Sequence, residues 1–115
     1  MKRYDLEERT FEFAKNVKSL VNVLPKSVPN LEYCKQLIRS SGSVGANYIE
    51  ANEALGRKDF FLRIKISRKE AKESQYWLKL VDIGSDKDVE AMRCDLLNEA
   101  LELTKIFGAI VEKSK

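Results

Sequence analysis

Apolar residues recur every three or four positions along most of this chain, which is the spacing of a helix with one buried face. The clearest example near the amino terminus is the series Leu6, Thr10, Phe13, Val17, Leu20 and Leu24. The alternation of polar and apolar residues that marks a β-strand does not extend over any useful length. The pattern therefore predicts an all-α protein.

Three interruptions divide the helical pattern: Pro25 with Pro29, then Gly56, then the segment 83–86. They predict four helices, at about residues 5–24, 30–55, 58–82 and 87–113. We expect Asp5 to cap the first helix and Asn30 or Ser27 to cap the second. Helices of this length with short connections are typical of an antiparallel up-down-up-down four-helix bundle, and 115 residues fit one such domain.

The helical period also places an inward stripe on each of the other three helices. On the second helix it is Leu31, Cys34, Ile38, Ser41, Gly45 and Tyr48. On the third helix it is Phe60, Ile64, Ser67, Ala71, Ser74, Leu78 and Val81. On the fourth helix, entered through Asp86 or Asp88, it is Val89, Leu96, Ala100, Leu103, Phe107 and Ile110.

The middle of the second helix, residues 40–46, is a poor helix former, because its two glycines cost about 1 kcal/mol each relative to alanine. The third helix carries small residues at Ser67, Ala71 and Ser74. Two small stripes that face each other allow a close approach of the helices, which would recover packing. A broken helix that cradles an anion is the alternative, but the segment lacks the glycine-rich phosphate fingerprint.

A polar flank runs beside the inward stripe on both of these helices. If the chain turns near Gly56, residues of the two flanks meet, with Glu50 opposite Arg63. We expect a hydrogen-bonded seam, within one chain or between subunits, formed by Ser43, Asn47, Glu50, Arg63, Glu70, Glu73 and Trp77. Its three acids invite a metal or acid–base interpretation, but the chain has no histidine and Arg63 can neutralise charge. The residues therefore predict no metal, no cofactor and no catalytic group.

The chain has 21 basic and 18 acidic residues, and this net charge of +3 gives no global argument for nucleic acid. A local argument for nucleic-acid binding exists on the third helix, since residues 57–82 include eight basic and four acidic residues. Its candidate phosphate-binding face consists of Lys58, Lys65, Arg68, Lys69, Lys72 and Lys79. Such a stripe is either a solvated helix face or a surface for RNA or DNA phosphates, and both interpretations stay open.

Cys34 and Cys94 are far apart in the sequence and fall among apolar residues, so we expect two buried, reduced thiols and a cytoplasmic protein. No apolar run follows the charged start of the chain, and none of about 18 residues occurs elsewhere, which predicts neither a signal peptide nor a membrane span. Large apolar residues also fall off the inward stripes, and they favour a homo-oligomer over a monomer. These residues are Phe11, Phe61, Ile66, Trp77 and Leu80.

Three segments together are similar to a known family. They are RSSGSVGANYIEA at 39–51, DF at 59–60 and KEAKESQYWL at 69–78. The chain resembles the four-helix-bundle family of 23S ribosomal RNA intervening-sequence proteins, with NYIEA at 47–51 where many relatives have Asn-Ile-Ala-Glu-Gly. The resemblance spans most of the chain.

The resemblance implies an up-down-up-down bundle that assembles as a homopentamer. It also implies kinship with the accessory variability protein of diversity-generating retroelements, a basic bundle associated with nucleic acid. No catalytic residue and no small-molecule substrate carries over. We therefore expect a non-enzymatic oligomer that binds RNA or DNA backbone through the third helix, or else a protein–protein interaction scaffold with no role in nucleic-acid binding.

Overall fold

The computed structural model describes residues 3–115, with side chains from Asp5 onward. Four helices make up this part of the chain: α1 (Arg3–Val23), α2 (Val28–Asn52), α3 (Arg57–Leu80) and α4 (Lys87–Ser114). The described residues form no β-strand. The prediction of an all-α protein with four helices is confirmed.

The helix starts follow local capping chemistry, though not always at the predicted residue. Ser27 caps α2 by accepting a hydrogen bond from the Asn30 amide at 3.3 Å. Asp86 caps α4 by accepting from the amides of Asp88 and Val89 at 2.8 and 3.2 Å. Asp5 is not a cap, because α1 begins at Arg3 and Asp5 lies in its first turn, where its charge suits the helix dipole.

Asn30, the other candidate cap of α2, is a buried link between two loops. Its side-chain amide donates to the carbonyl oxygens of Pro25 and Asp82, both at 2.8 Å, and its Oδ1 accepts from the Asp82 amide at 2.9 Å. Only 1% of Asn30 is exposed. One side chain thus holds the segment after α1 against the segment after α3.

The connection between α2 and α3 is longer than the sequence predicts. α2 ends at Asn52, about one turn before residue 55, and Gly56 precedes α3 in an extended conformation. Between α3 and α4, Gly84 has a φ of +73°, which glycine adopts without strain. The Asp82 carboxylate supports that turn by accepting from the Gly84 amide at 3.1 Å.

The core contains most of the predicted stripes. All six residues of the α1 stripe are at most 3% exposed. The α3 stripe is buried except for Phe60, which is half-buried, and on α4 Val111 takes the buried place predicted for Ile110. The helical period therefore predicted the inner face of α1, α3 and α4 to within one residue.

The predicted stripe of α2 is wrong in part, since Leu31 and Ile38 are 50% and 42% exposed and Cys34 is half-buried. The core positions that the prediction missed are Leu37, Ser40, Val44 and Ala51. The cause is that α2 has apolar residues on two sides, so periodicity alone does not say which side faces inward. Its second, solvent-exposed apolar face consists of Leu31, Ile38, Gly42, Ala46 and Ile49.

Each helix packs against two others: α1 and α3 both contact α2 and α4. The small residues of α2 and α3 meet as predicted, with 2.9 Å between the Ser40 and Ser74 hydroxyl oxygens and 2.9 Å from the Ser67 hydroxyl to the Val44 carbonyl. Gly45 lies at a different contact, the one between α2 and Thr10 of α1. A Cβ atom at this position would lie 2.8 Å from Thr10 Oγ1, so the glycine lets α1 approach α2.

Within the part of the chain that the structure describes, no helix is both long enough and apolar enough to cross a membrane.

Candidate nucleic-acid interface

Four of the predicted cationic residues line one groove between α3 and α4. The groove has a volume of about 790 Å³, and its walls are Lys65, Ile66, Arg68, Lys69, Lys72, Glu73 and Thr104. We call it the basic groove. Lys65, Lys69 and Lys72 are exposed, whereas Arg68 is half-buried. Their positions on α3 follow the helical spacing of three and four residues, so one face presents all four.

A glycine on α4 lies beside Arg68, one of the residues of the basic groove. A Cβ atom at Gly108 would lie 3.8 Å from Arg68 Cδ, so the aliphatic stem of Arg68 lies close to the α4 backbone there. Such a stem packs on the protein while the guanidinium stays at the surface. Among the described residues the groove has one anion, Glu73, whose carboxylate is 3.8 Å from Lys69 Nζ. Positive charge is therefore in excess along the groove.

The other two predicted cationic residues lie elsewhere. Lys58 borders a neighbouring pocket of about 520 Å³ together with Asp59, Phe61, Leu62 and Lys65. Lys79 belongs to a separate pocket whose walls include Gln75 and Cys94. The predicted cationic face is thus divided: four of its residues line the basic groove, Lys58 borders the adjoining pocket, and Lys79 lies in a separate pocket.

Phe61 is a residue whose place in this surface the sequence analysis missed. It is half-buried and packs against the core, and Lys65 Nζ lies 5.2 Å from the centre of its ring. The contact is a cation–π interaction between residues one helical turn apart. The spacing of Phe61 and Lys65 in the sequence was the signal that could have revealed it.

The predicted polar seam exists as two separate clusters. In the first, the Arg63 guanidinium donates to Asn47 Oδ1 at 3.0 Å, and the Asn47 amide donates to the Ser43 hydroxyl at 2.8 Å. Glu50 does not pair with Arg63 within 4 Å and is exposed, so that predicted contact is wrong. Near the α2–α3 connection the register differs from the predicted one, and Arg63 meets Asn47, a residue nearly one turn closer to the start of α2.

The second cluster centres on Arg39, which the sequence analysis did not select. Its guanidinium lies 3.3 Å from carboxylate oxygens of both Glu70 and Glu73. Glu70 is only 6% exposed, and its Oε1 has no hydrogen-bond partner among the described residues. An arginine next to both carboxylates offsets the cost of holding Glu70 inside the protein.

Trp77 belongs to an aromatic group at the end of the same flank. Its ring is 6.1 Å from that of Tyr33 and 5.1 Å from that of Tyr76, and it packs against the core. Phe61 and Trp77 are therefore less exposed than their off-stripe positions suggested. Phe11 and Leu80 are 60% and 40% exposed, in agreement with the prediction.

The acidic side chains of the seam do not converge. Within the described residues, no group of three or more Cys, Asp or Glu side chains is arranged to hold a metal ion. Glu70 and Glu73 share Arg39, while Glu50 is separate on α2. The three acids that the sequence placed in one polar seam are thus divided between an ion-paired cluster and the solvent.

Both cysteines are free thiols, but Cys94 is exposed and Cys34 half-buried, so the prediction that both are buried is wrong. The Cys94 thiol donates a hydrogen bond to a Glu90 carboxylate oxygen at 3.2 Å. That bond raises the pKa of Cys94, and burial raises the pKa of Cys34. Both groups hold less thiolate at neutral pH than an ordinary cysteine, which makes them poor nucleophiles.

A second groove, of about 410 Å³, lies between α1 and α4 and has the opposite charge balance. Arg9 is bound there by both carboxylate oxygens of Glu99, at 2.7 and 2.8 Å. Glu12 and Asp95 add two more carboxylates to its walls. Such a groove disfavours phosphate, in contrast to the basic groove on α3.

The described residues thus form an all-α protein of four helices, with a basic groove on α3. The chain belongs to the 23S rRNA-intervening sequence protein family, whose model matches residues 2–108. A crystal structure of a protein of unknown function from Bacteroides thetaiotaomicron, of the S23 ribosomal protein family, is similar to it. That protein shares 30% sequence identity, with 97% of this chain and 99% of that chain covered and a TM-score of 0.81. No curated protein matches this chain by sequence.

Proposed function

We propose that this protein is a non-enzymatic, oligomeric four-helix bundle that binds the sugar-phosphate backbone of RNA or DNA through the basic groove. The observation that carries the proposal is the convergence of Lys65, Arg68, Lys69 and Lys72 on one concave surface with a single opposing carboxylate. A concave surface of one charge focuses its field more than a flat one does. The family name adds no partner, because it describes an intervening sequence of 23S rRNA and not a ligand.

Phosphate contacts give affinity without sequence specificity, because every nucleotide has the same backbone. The groove supplies mainly ammonium groups, which bind phosphate as point charges. No cofactor or small-molecule substrate forms part of this function. We therefore expect binding that tolerates many sequences and weakens steeply with salt.

We also propose that the helices run alternately up and down. Support comes from the hydrogen bonds that join α2 to α3, in which a lower residue number on α2 goes with a higher one on α3. Asn47 meets Arg63, Val44 meets Ser67, and Ser40 meets Ser74. With short loops this order is the common one for four helices.

Charge reversal of Lys65, Lys69 and Lys72 to glutamate is expected to abolish binding at moderate salt. Each lost phosphate contact reduces the slope of log K against log salt by about one, so the triple variant should lose about three. Fluorescence anisotropy with a labelled oligonucleotide at several salt concentrations measures both the affinity and the slope.

The matched control is charge reversal of Lys15, Lys18 and Lys87, three exposed lysines outside α3. It changes net charge by the same amount and leaves the basic groove intact. If the two triple variants weaken binding equally, the groove is not the binding surface and net charge alone accounts for the effect.

A homo-oligomer, and by family resemblance a homopentamer, is the second part of the proposal. The exposed apolar face of α2 supports assembly, because Leu31, Ile38 and Ile49 are 42–50% exposed. Gly42 lies in the middle of that face, and apart from its own stretch of helix no atom of the described residues comes within 4 Å of a potential Cβ. Alanine would favour the helix by about 1 kcal/mol there, and a second chain packed on this face would give the glycine a role.

Light scattering on the purified protein tests assembly directly against the 13.2 kDa mass of one chain. We expect a multiple of that mass, and a shift toward the single-chain mass when Ile38 and Ile49 are both replaced by lysine. The control is Lys substitution of Leu101, which is exposed to a similar degree on α4. A wild-type protein that scatters as a single chain contradicts the assembly.

The exposed α2 face also favours the second candidate function, a protein-interaction scaffold. That function needs no phosphate contact, so its binding to a protein partner would survive charge reversal of Lys65, Lys69 and Lys72. The triple charge reversal therefore distinguishes the two candidate functions: binding to nucleic acid would be lost, whereas binding to a protein partner would be kept.

A further inference from the structure

The basic groove adjoins a pocket of different chemistry. The two share Lys65, and the pocket, about 520 Å³ in volume, also includes Phe61 and Leu62. Leu62 is 55% exposed, while Phe61 packs on the core behind it. Lys58 and Lys65 are the two cations of this pocket, and Asp59 is its one acid. An apolar patch between two lysines is thus continuous with the candidate path of a phosphate backbone.

The order of residues along α3 places apolar side chains between two cations. Lys58 and Lys65 are seven residues apart, so their backbone positions differ by about 10 Å along the helix axis. Phe61 and Leu62 lie between them in the sequence, so a flat aromatic group on this patch would have a lysine on either side. An aromatic ring beneath a base is the common device for holding single strands, because every base has a π-face.

We infer that this pocket binds one unpaired nucleobase, and that the protein therefore prefers single-stranded nucleic acid to a duplex. The inference rests on the proposed function of the neighbouring groove. In a duplex the faces of the bases are stacked on each other and cannot reach Phe61. A single strand presents a base to the pocket while its flanking phosphates lie near Lys58 and Lys65.

Charge complementarity selects this occupant over an apolar peptide side chain. Two of the five residues around the pocket are lysines, and Lys65 Nζ already lies over the Phe61 ring in the free protein. A base that enters replaces the ammonium group on the ring, and the released ammonium group becomes available to a phosphate. A neutral peptide would displace Lys65 without providing an anion for it.

The test compares two probes of equal length and charge: an oligothymidylate and an abasic oligomer with the same backbone. We expect the full-length protein to bind the oligothymidylate at least about fivefold more tightly, which is the lower limit for stacking one base. The preference should disappear in Phe61→Leu, which keeps an apolar side chain at the core, and decrease in Leu62→Ala. Leu101→Ala, at a leucine with 41% exposure on α4, should retain it.

The outcomes separate this inference from the function on which it rests. Equal affinity of wild-type protein for both probes, with equal salt dependence, overturns the base pocket and leaves the phosphate groove standing. Failure of both probes to bind at low salt overturns the two together. If Phe61→Leu is misfolded by circular dichroism, the exposed Leu62→Ala variant decides: an undiminished preference for oligothymidylate there also overturns the pocket.

Discussion

Replacing Asn30 with alanine is expected to lower the free energy of unfolding by about 3 kcal/mol or more. The substitution removes three hydrogen bonds of 2.8–2.9 Å that join Asn30 to Pro25 and Asp82. Each intramolecular hydrogen bond contributes about 0.5–1.5 kcal/mol net, and three are lost at once. Urea denaturation followed by circular dichroism measures the change.

Two further variants make the Asn30 experiment specific. Asn22→Ala, at an exposed position of α1, is expected to change stability by no more than about 0.5 kcal/mol. Asn30→Asp keeps an acceptor for the Asp82 amide but loses both donors, and its charge faces two carbonyl oxygens. It should be at least as unstable as Asn30→Ala. A loss below about 1 kcal/mol in Asn30→Ala would show that the link contributes little.

Gly45→Ala is expected to destabilise the protein although alanine is the better helix former. The new Cβ atom would lie 2.8 Å from Thr10 Oγ1 and 3.1 Å from Thr10 Cβ. Rotation of the threonine does not move its Cβ, and its hydroxyl already donates to the Leu6 carbonyl at 2.9 Å. Overpacking of this kind costs about 1–3 kcal/mol and has to be relieved by a shift of α1 away from α2.

The control for Gly45→Ala is the same substitution at Gly42, also within α2, where a Cβ atom has no neighbour within 4 Å. In dilute protein, below the onset of assembly, Gly42→Ala should gain about 1 kcal/mol from helix propensity. The double variant Thr10→Ala, Gly45→Ala should be more stable than the sum of its single changes, because the smaller residue at position 10 makes room. An additive double variant would contradict the clash.

The periodicity of the sequence predicted α1 better than α2, for a physical reason. α1 has one continuous apolar stripe with charged residues around it, so burying any other face would cost more. α2 has Leu37, Val44 and Ala51 on one side and Leu31, Ile38 and Ile49 on another. Hydrophobicity alone then leaves the rotation of the helix open. Small polar residues decide it, since Ser40 forms a hydrogen bond to α3.

Contacts between distant residues were the part that the sequence could not provide. Asn30 was predicted as a cap because its type and place suit one, but its partners include Asp82, which is 52 positions away. Arg63 meets Asn47, three residues before the predicted Glu50, whereas Ser40 and Ser74 lie within one residue of the predicted pairing, so α2 and α3 do not keep one register along their length. Arg39 escaped notice because its two carboxylates are both on another helix.

The sequence predicted which residues of the candidate site share one face of α3, but not the groove and pockets that they form. The helical period put Lys65, Arg68, Lys69 and Lys72 on one side of α3, and the structure places them around one groove. The division from Lys79, and the pocket next to Lys58, depend on how α4 and Phe61 fill the space beside α3. Both features depend on tertiary packing between helices, and the residue pattern of a single helix carries no information about it.

The link at Asn30 and the basic groove are well separated along α3. The groove lies at positions 65–72, and Asp82 follows the end of the helix at Leu80, more than about 10 Å further along. Substitutions at such a distance act independently on stability. The exposed lysines can therefore be exchanged for other side chains with little penalty in folding. The scaffold thus separates two tasks along one helix, with fold stability set near Asp82 and surface chemistry set at positions 65–72.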